Sequence, residues 1–142
     1  MKGDPLPRTK PTITLDEAQQ VVAKAIARAQ EMGIAIAVVV VDDAGGSVAL
    51  SRMDGSPVMA VAMATGKAYT AVGMGAPTEV WENLSKDNPS FGGAITSIDG
   101  FVPFGGGQPL TSDGALIGAV GVSGGTVEQD VEIAKHAATA LS

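Results

Sequence analysis

Residues 104–110 read FGGGQPL, and after Thr111 and Ser112 the chain continues as DGALIGAVGVSGG over residues 113–125. A glycine-rich turn thus leads into an apolar segment that carries Gly118 and Gly121. Glycine in the interior of a strand destabilises it, so it is usually kept where another backbone, a helix or a ligand approaches closely. We therefore expect residues 115–122 to form a buried strand with a close neighbour.

The N-terminal half predicts two helices separated by a hairpin. Thr14 and Glu17 form a capping box, and apolar residues then recur at helical spacing up to Gly33. The apolar run 34–41, a turn at 42–46 and the alternating segment 47–53 predict two paired strands. Ser56 followed by proline favours a second helix over residues 57–72.

The C-terminal half is less regular. Residues 77–84 predict a short helix, and residues 88–107 predict irregular structure with one or two short strands. A second capping box, Thr126 with Gln129, opens a final amphipathic helix. The order of elements favours an α/β (α+β) protein, with one antiparallel sheet packed by helices. We expect an extended arm over residues 1–13 and a single domain over residues 14–142.

Composition limits the classes of function. The chain has 142 residues, a net charge of −6 and no cysteine. An acidic chain without a basic run is a poor match for nucleic acid or an anionic membrane surface, and the lack of cysteine excludes thiolate chemistry. Residues 1–10 lack the apolar core of a signal peptide, which favours a cytoplasmic location. A mature exported chain whose leader has been removed would have the same start.

Four blocks together resemble the GlcG/HbpS family of haem-degrading and haem-binding proteins, which is related to the C-terminal domain of PduO-type proteins. The resemblance covers about residues 12–141. The blocks are VVD at residues 40–42 with GG at 45–46 and RMDG at 52–55, KAYTA at 67–71, GGQPL at 106–110, and IGAVGVSGG at 117–125 with EQD at 128–130.

The resemblance implies a profilin-like fold with a five-stranded antiparallel sheet flanked by helices. It also implies a homo-oligomer, a tetramer or an octamer, and the binding of haem or a related tetrapyrrole in some members. The resemblance says more about the fold than about the function.

Lys67 is the main candidate for a functional residue, because it is the one charged residue between Asp54 and Glu79. An unpaired buried ammonium is costly, so Lys67 must reach water, a carboxylate or an anionic ligand. It could hold a carboxylate or haem propionate, act as a catalytic base or amine, or form a structural ion pair with Asp42 or Asp54. Arg52 and Asp54 share a strand face and could bind the same ligand or pair with each other.

Other candidates are less specific. Backbone N–H groups of Gly105, Gly106 and Gly107 could hold an anion, or the three glycines could form only a tight turn. Haem-binding relatives of the PduO type use a histidine in the first helix, and this chain has none there. The remaining candidates for an iron ligand are His136, Tyr69, Met53, Met59, Met63 and Met74. Glu79, Trp81 and Glu82 could line the rim of a pocket or form a solvated helix face.

Two functions are compatible with these residues. The first is a homo-oligomeric protein without catalytic activity that binds haem or another flat anionic ligand near Lys67, Arg52 and residues 105–107, with Asp54 and Tyr69 alongside. The alternative is an enzyme that acts on a small organic acid, with Lys67, Arg52 and a carboxylate such as Asp42, Asp54 or Glu79 in acid–base roles.

Overall fold

The computed structural model describes residues 6–142, so residues 1–5 of the expected arm lie outside the described part. The described chain forms five α-helices and four strands, followed by a short 3-10 helix. In chain order they are α1 (Leu15–Glu31), β1 (Ala37–Asp42), β2 (Ser47–Arg52), α2 (Ala60–Met74), α3 (Glu79–Asp87), α4 (Pro89–Ile95), β3 (Gly107–Ser112), β4 (Ala115–Ser123), α5 (Val127–Ala138) and the 3-10 turn Thr139–Leu141.

The four strands form one antiparallel sheet in the order β2-β1-β4-β3. The α+β class and the antiparallel sheet are therefore confirmed, but the expected number of five strands is wrong for the described residues. The segment that was expected to contribute extra strands, residues 88–107, instead begins with α4. Pro89 at the first helical position explains this, because its fixed φ suits a helix start and it has no N–H to donate.

The two faces of the sheet are packed by different side chains. On one face α1 and α5 cover a core of valine, isoleucine, leucine and alanine; on the other, α2 covers a core of alanine and valine, with no buried isoleucine or leucine in the described chain. Every residue from Ala37 to Val41 is buried, because β1 lies inside the sheet between β2 and β4. The buried strand predicted at residues 115–122 is confirmed as β4.

Close packing of α2 on the sheet explains two of the strand glycines. A Cβ atom at Gly121 would overlap the carbonyl oxygen of Ala64 and lie 2.7 Å from the amide nitrogen of Ala68. A Cβ atom at Gly107, which pairs with Gly121, would overlap the carbonyl oxygen of Lys67. The backbone of α2 therefore rests directly on the backbone of β3 and β4, as expected from glycine in a strand interior.

Helix boundaries agree with the sequence where side chains cap the ends. Both capping boxes, at Thr14 and at Thr126, are present. The second helix begins at Ala60 instead of residue 57, and Met59 at its N-cap position makes no side-chain cap bond. In the described part of the chain, no helix combines the length and apolar character needed to cross a bilayer.

Candidate functional site

Lys67 lies in α2 and is almost completely buried, with 1% of its surface exposed. Its ammonium donates hydrogen bonds to the carbonyl oxygen of Val122 at 2.9 Å and to Oδ2 of Asp130 at 3.0 Å. It also lies 5.2 Å from the centre of the Phe104 ring, within the range of a cation–π interaction. The lysine therefore ties α2 to the end of β4 and to the first turn of α5.

Asp130 is the partner that the sequence reasoning missed. It is 3% exposed, and its Oδ1 accepts the N–H of Gly125 at 2.9 Å. The predicted partners are wrong: Asp42 instead accepts the backbone N–H groups of its own turn, and Asp54 is exposed. The sequence does indicate that Asp130 is buried, because this residue falls among the apolar positions of an amphipathic helix. A carboxylate at such a position needs a partner.

Burial and charge act in opposite directions on this pair. Burial lowers the pKa of Lys67, and the charge of Asp130 opposes that shift. Burial likewise raises the pKa of Asp130, opposed by the charge of Lys67 and by the hydrogen bond from Gly125. Each ion is kept in the interior by the other, which is the arrangement that a buried ion pair requires.

Of the three glycines of residues 105–107, Gly106 lies beside the Lys67 ammonium. A Cβ at Gly106 (φ +124°) would lie 2.8 Å from the Lys67 ammonium, and a Cβ at Gly105 would overlap the side chain of Val131. The N–H of Gly107 donates to the hydroxyl of Thr78 at 2.8 Å, so that N–H group is already used inside the fold. The structure thus brings Lys67 and the triglycine together as expected. Their predicted contact with a ligand stays a prediction.

Arg52 and Asp54 lie elsewhere. Arg52 ends β2, an edge strand on the side of the sheet opposite to β3, and both side chains are exposed. Within residues 6–142, neither of them forms an ion pair with the other or with Lys67. The acid–base set of Lys67 and Arg52 is therefore not assembled within one chain.

Tyr69 separates two clefts on the outer side of α2. Its ring lies between Gly45 in the β1–β2 turn and Gly100 in the loop before β3, and 42% of its surface is exposed. Within the described chain its hydroxyl makes no hydrogen bond. The larger cleft, here the Gly66 cleft, has a volume of about 530 Å³, and the smaller, the Asp43 cleft, about 260 Å³. Tyr69 and Phe101 line both.

The wall of the Gly66 cleft is held to α2 by buried contacts. The hydroxyl of Thr70, 1% exposed, accepts the N–H of Val102 at 2.8 Å. Gly66 lets this loop approach, because a Cβ there would overlap the side chain of Val102. Phe101 packs in turn on Trp81, with ring centroids 6.4 Å apart.

The other candidate residues are scattered. His136 is exposed on α5, and Glu79 forms an ion pair with Lys135 at 3.3 Å. Met74 lines the Asp43 cleft, whereas the sulfur of Met53 accepts the N–H of Ile36 at 3.4 Å. Residues 6–142 contain no group of three or more His, Cys, Asp or Glu side chains that could hold a metal ion.

Comparison with known proteins points to one family. Residues 13–139 match the family described as "Haem degrading protein HbpS-like". An uncharacterized 15.0 kDa protein from the dhaT-dhaS intergenic region of Citrobacter freundii is 37% identical over 92% of this chain and 93% of its own length. The corrinoid adenosyltransferase PduO of Salmonella typhimurium is 33% identical over 94% of this chain, but the match spans only 40% of PduO.

Solved structures share the whole fold. The protein ORFY of Klebsiella pneumoniae superposes with a TM-score of 0.91 at 33% identity, covering 99% of this chain and 97% of ORFY. A complex of PduOC with haem superposes with a TM-score of 0.85 at 34% identity, covering 92% of this chain and 96% of PduOC. The similarity therefore extends along nearly the entire chain.

Proposed function

Because the chain belongs to the HbpS-like family, we propose that it binds a flat, largely apolar small molecule in the Gly66 cleft. Haem is the candidate ligand, since a relative of the same fold forms a complex with haem. The observation that carries the proposal is Tyr69, a half-exposed phenol without a hydrogen-bond partner in the described chain, at the edge of an apolar cleft.

The residues present fit haem in size and chemistry. The volume of about 530 Å³ lies within the range of ~300–1,000 Å³ typical of small-molecule sites. Phe101 and Val102 offer an apolar wall, and the small residues Gly66 and Ala62 leave room for a flat ring. Tyrosine is a known axial ligand of haem iron. Asp99 also lines the cleft and would repel the propionates, so Tyr69 and the apolar wall would hold the haem.

In this proposal, bound haem would supply iron chemistry, and the chain supplies the site. Tyr69 would hold the iron through its oxygen, and the loop held by Thr70 would supply apolar contacts. Lys67 lies two residues before Tyr69 but points into the protein, so it supports α2 from behind instead of contacting the ligand. The alternative of an enzyme for a small organic acid stays a prediction from the sequence, because Lys67 and Arg52 are held apart.

Titration with haemin tests the site directly. We expect saturable binding with a shifted Soret band, and we expect Tyr69→Phe to lose the charge-transfer band of a tyrosinate ligand. The variant should bind at least ~10-fold more weakly, about 1.4 kcal/mol. His136→Ala is the matched control and should bind like the wild type. Unsaturable binding, or equal spectra for wild type and Tyr69→Phe, would contradict the proposal.

We further propose that the chain forms a homo-oligomer through the start of α2. Val58 and Met59 are 78% and 73% exposed, and residues 55–78 contain no charged side chain except the buried Lys67. Exposed apolar patches of this kind commonly mark interfaces. We expect light scattering to give a tetramer or octamer mass that Met59→Lys reduces, whereas Leu50→Lys on the edge strand β2 leaves it unchanged. A monomer mass for the wild type would refute this.

A further inference from the structure

The Asp43 cleft combines an apolar interior with a single carboxylate. It lies on the other side of Tyr69 from the Gly66 cleft and has a volume of about 260 Å³. The residues that give it its chemistry are Asp43, Tyr69, Val72, Met74, Ile98 and Phe101. Two aromatic rings and aliphatic side chains suit an apolar body, and one carboxylate suits a cation or a hydrogen-bond donor.

The carboxylate of Asp43 is largely buried, and its counter-ion comes from an exposed side chain. Its side chain is 12% exposed, and its Oδ2 atom is fully covered. The ammonium of Lys10 lies 2.7 Å from Oδ2, although the Lys10 side chain is itself 75% exposed. Exposed ion pairs contribute little stability, whereas a covered carboxylate needs a counter-ion. The site therefore requires a cation but holds its own cation weakly.

Lys10 belongs to the segment before α1, so its ammonium can move away from Asp43 without disturbing a helix or a strand. Among the backbone hydrogen bonds of the described chain, that segment meets the sheet at Ile13, whose N–H donates to Ile117 at 3.0 Å. Contact with Lys10, and then with Thr12, lowers the pKa of Asp43. This contact therefore favours the charged form of the carboxylate.

We propose that the Asp43 cleft is a second binding site, separate from the Gly66 cleft, for a small organic ammonium ion with an apolar body. Lys10 does not itself line the cleft, but it neutralises the Asp43 carboxylate when no ligand is bound. A ligand places its ammonium beside Oδ2 of Asp43 and its apolar body against Tyr69, Phe101 and Met74. Binding displaces the Lys10 ammonium into solvent, so Lys10 competes with the ligand.

Benzylamine is a suitable probe, because it carries one ammonium on an apolar ring, and benzyl alcohol is its neutral counterpart. We expect calorimetry to show saturable binding of benzylamine, stronger than that of benzyl alcohol, with amide NMR shifts at Ala44 and Gly73. Lys10→Met should tighten benzylamine binding roughly two- to fivefold, the equivalent of one exposed ion pair. Asp43→Asn should abolish the preference for the amine.

Lys86→Met is the matched control, because Lys86 is 70% exposed and its pair with Glu82 lies on α3. It removes the same charge and should leave the affinity for benzylamine unchanged. Equal binding of benzylamine and benzyl alcohol, equal effects of the two lysine variants, or no binding to Lys10→Met would each overturn the proposal. These titrations are made on the protein without haem, because Tyr69 and Phe101 line both clefts, so their failure is distinguishable from failure of the haem proposal.

Discussion

Replacing Gly121 with alanine is expected to lower the free energy of unfolding by at least ~3 kcal/mol. The added Cβ would overlap the carbonyl oxygen of Ala64 and press on the amide of Ala68, and both are backbone atoms of α2. No side-chain rotation relieves this contact, so the helix must move away from β4. The alanine layer beneath it would then lose its packing. Urea denaturation followed by circular dichroism measures the effect.

Gly73→Ala in α2, the helix that packs on Gly121, provides the control. No atom lies within 4 Å of a Cβ built at Gly73, and the residue is exposed. Alanine in a helix interior is favoured over glycine, so we expect this variant to gain ~0.5–1 kcal/mol. If Gly121→Ala cost less than ~1 kcal/mol, α2 would not rest on the sheet as closely as the structure shows.

The second large effect is expected at the buried ion pair. Lys67→Met keeps an apolar stem of similar length but leaves the Asp130 carboxylate buried without a cation. Removal of one partner of such a pair typically costs ~3–5 kcal/mol, and we expect a loss of that size. Lys135→Met is the control. The side chain of Lys135 is 58% exposed and pairs with Glu79, so its loss should cost less than ~1 kcal/mol.

A double-mutant cycle separates the pair from the packing around it. In Lys67→Met/Asp130→Leu both charges are gone, so we expect the double variant to be more stable than Lys67→Met alone. It should still lose ~1 kcal/mol against the wild type, because the N–H of Gly125 loses its acceptor. If the stability losses of Lys67→Met and Asp130→Leu simply add up in the double variant, the two residues do not stabilise each other.

The sequence predicted those parts of the fold that local chemistry determines. The two capping boxes place the starts of α1 and α5, and the turn at residues 42–46 places the first hairpin. The predicted start of α2 was wrong by three residues, because the Ser56 hydroxyl makes no hydrogen bond that would cap the helix there. In the region before β3, residues 96–106 are irregular as predicted, but α4 was missed because it is short and rich in glycine and its pattern carries no helical period.

The candidate site was harder to predict, because it depends on contacts between distant residues. The isolated Lys67 signalled a buried charge, but Asp130 lies 63 residues away and its position follows only from the sheet topology. The clefts beside Tyr69 require Gly45 and Gly100 to meet the same ring, and nothing in their local sequence indicates this. Lys10 and Asp43 are brought together in the same way, by the path of the chain before α1.

The place of β1 in the sheet has a consequence for biosynthesis. The partner of β1 on one side, β2, is next in the chain, but its other edge pairs with β4, where Ala37 meets Ser123. More than half of the chain must be translated between these partners. The glycines on which α2 packs, Gly107 and Gly121, also belong to the late strands β3 and β4. Until β4 has been synthesised, the valine-rich edge of β1 is therefore unpaired and α2 has no sheet to pack on. We expect the nascent chain to be most prone to aggregation, and most dependent on a chaperone, during this interval.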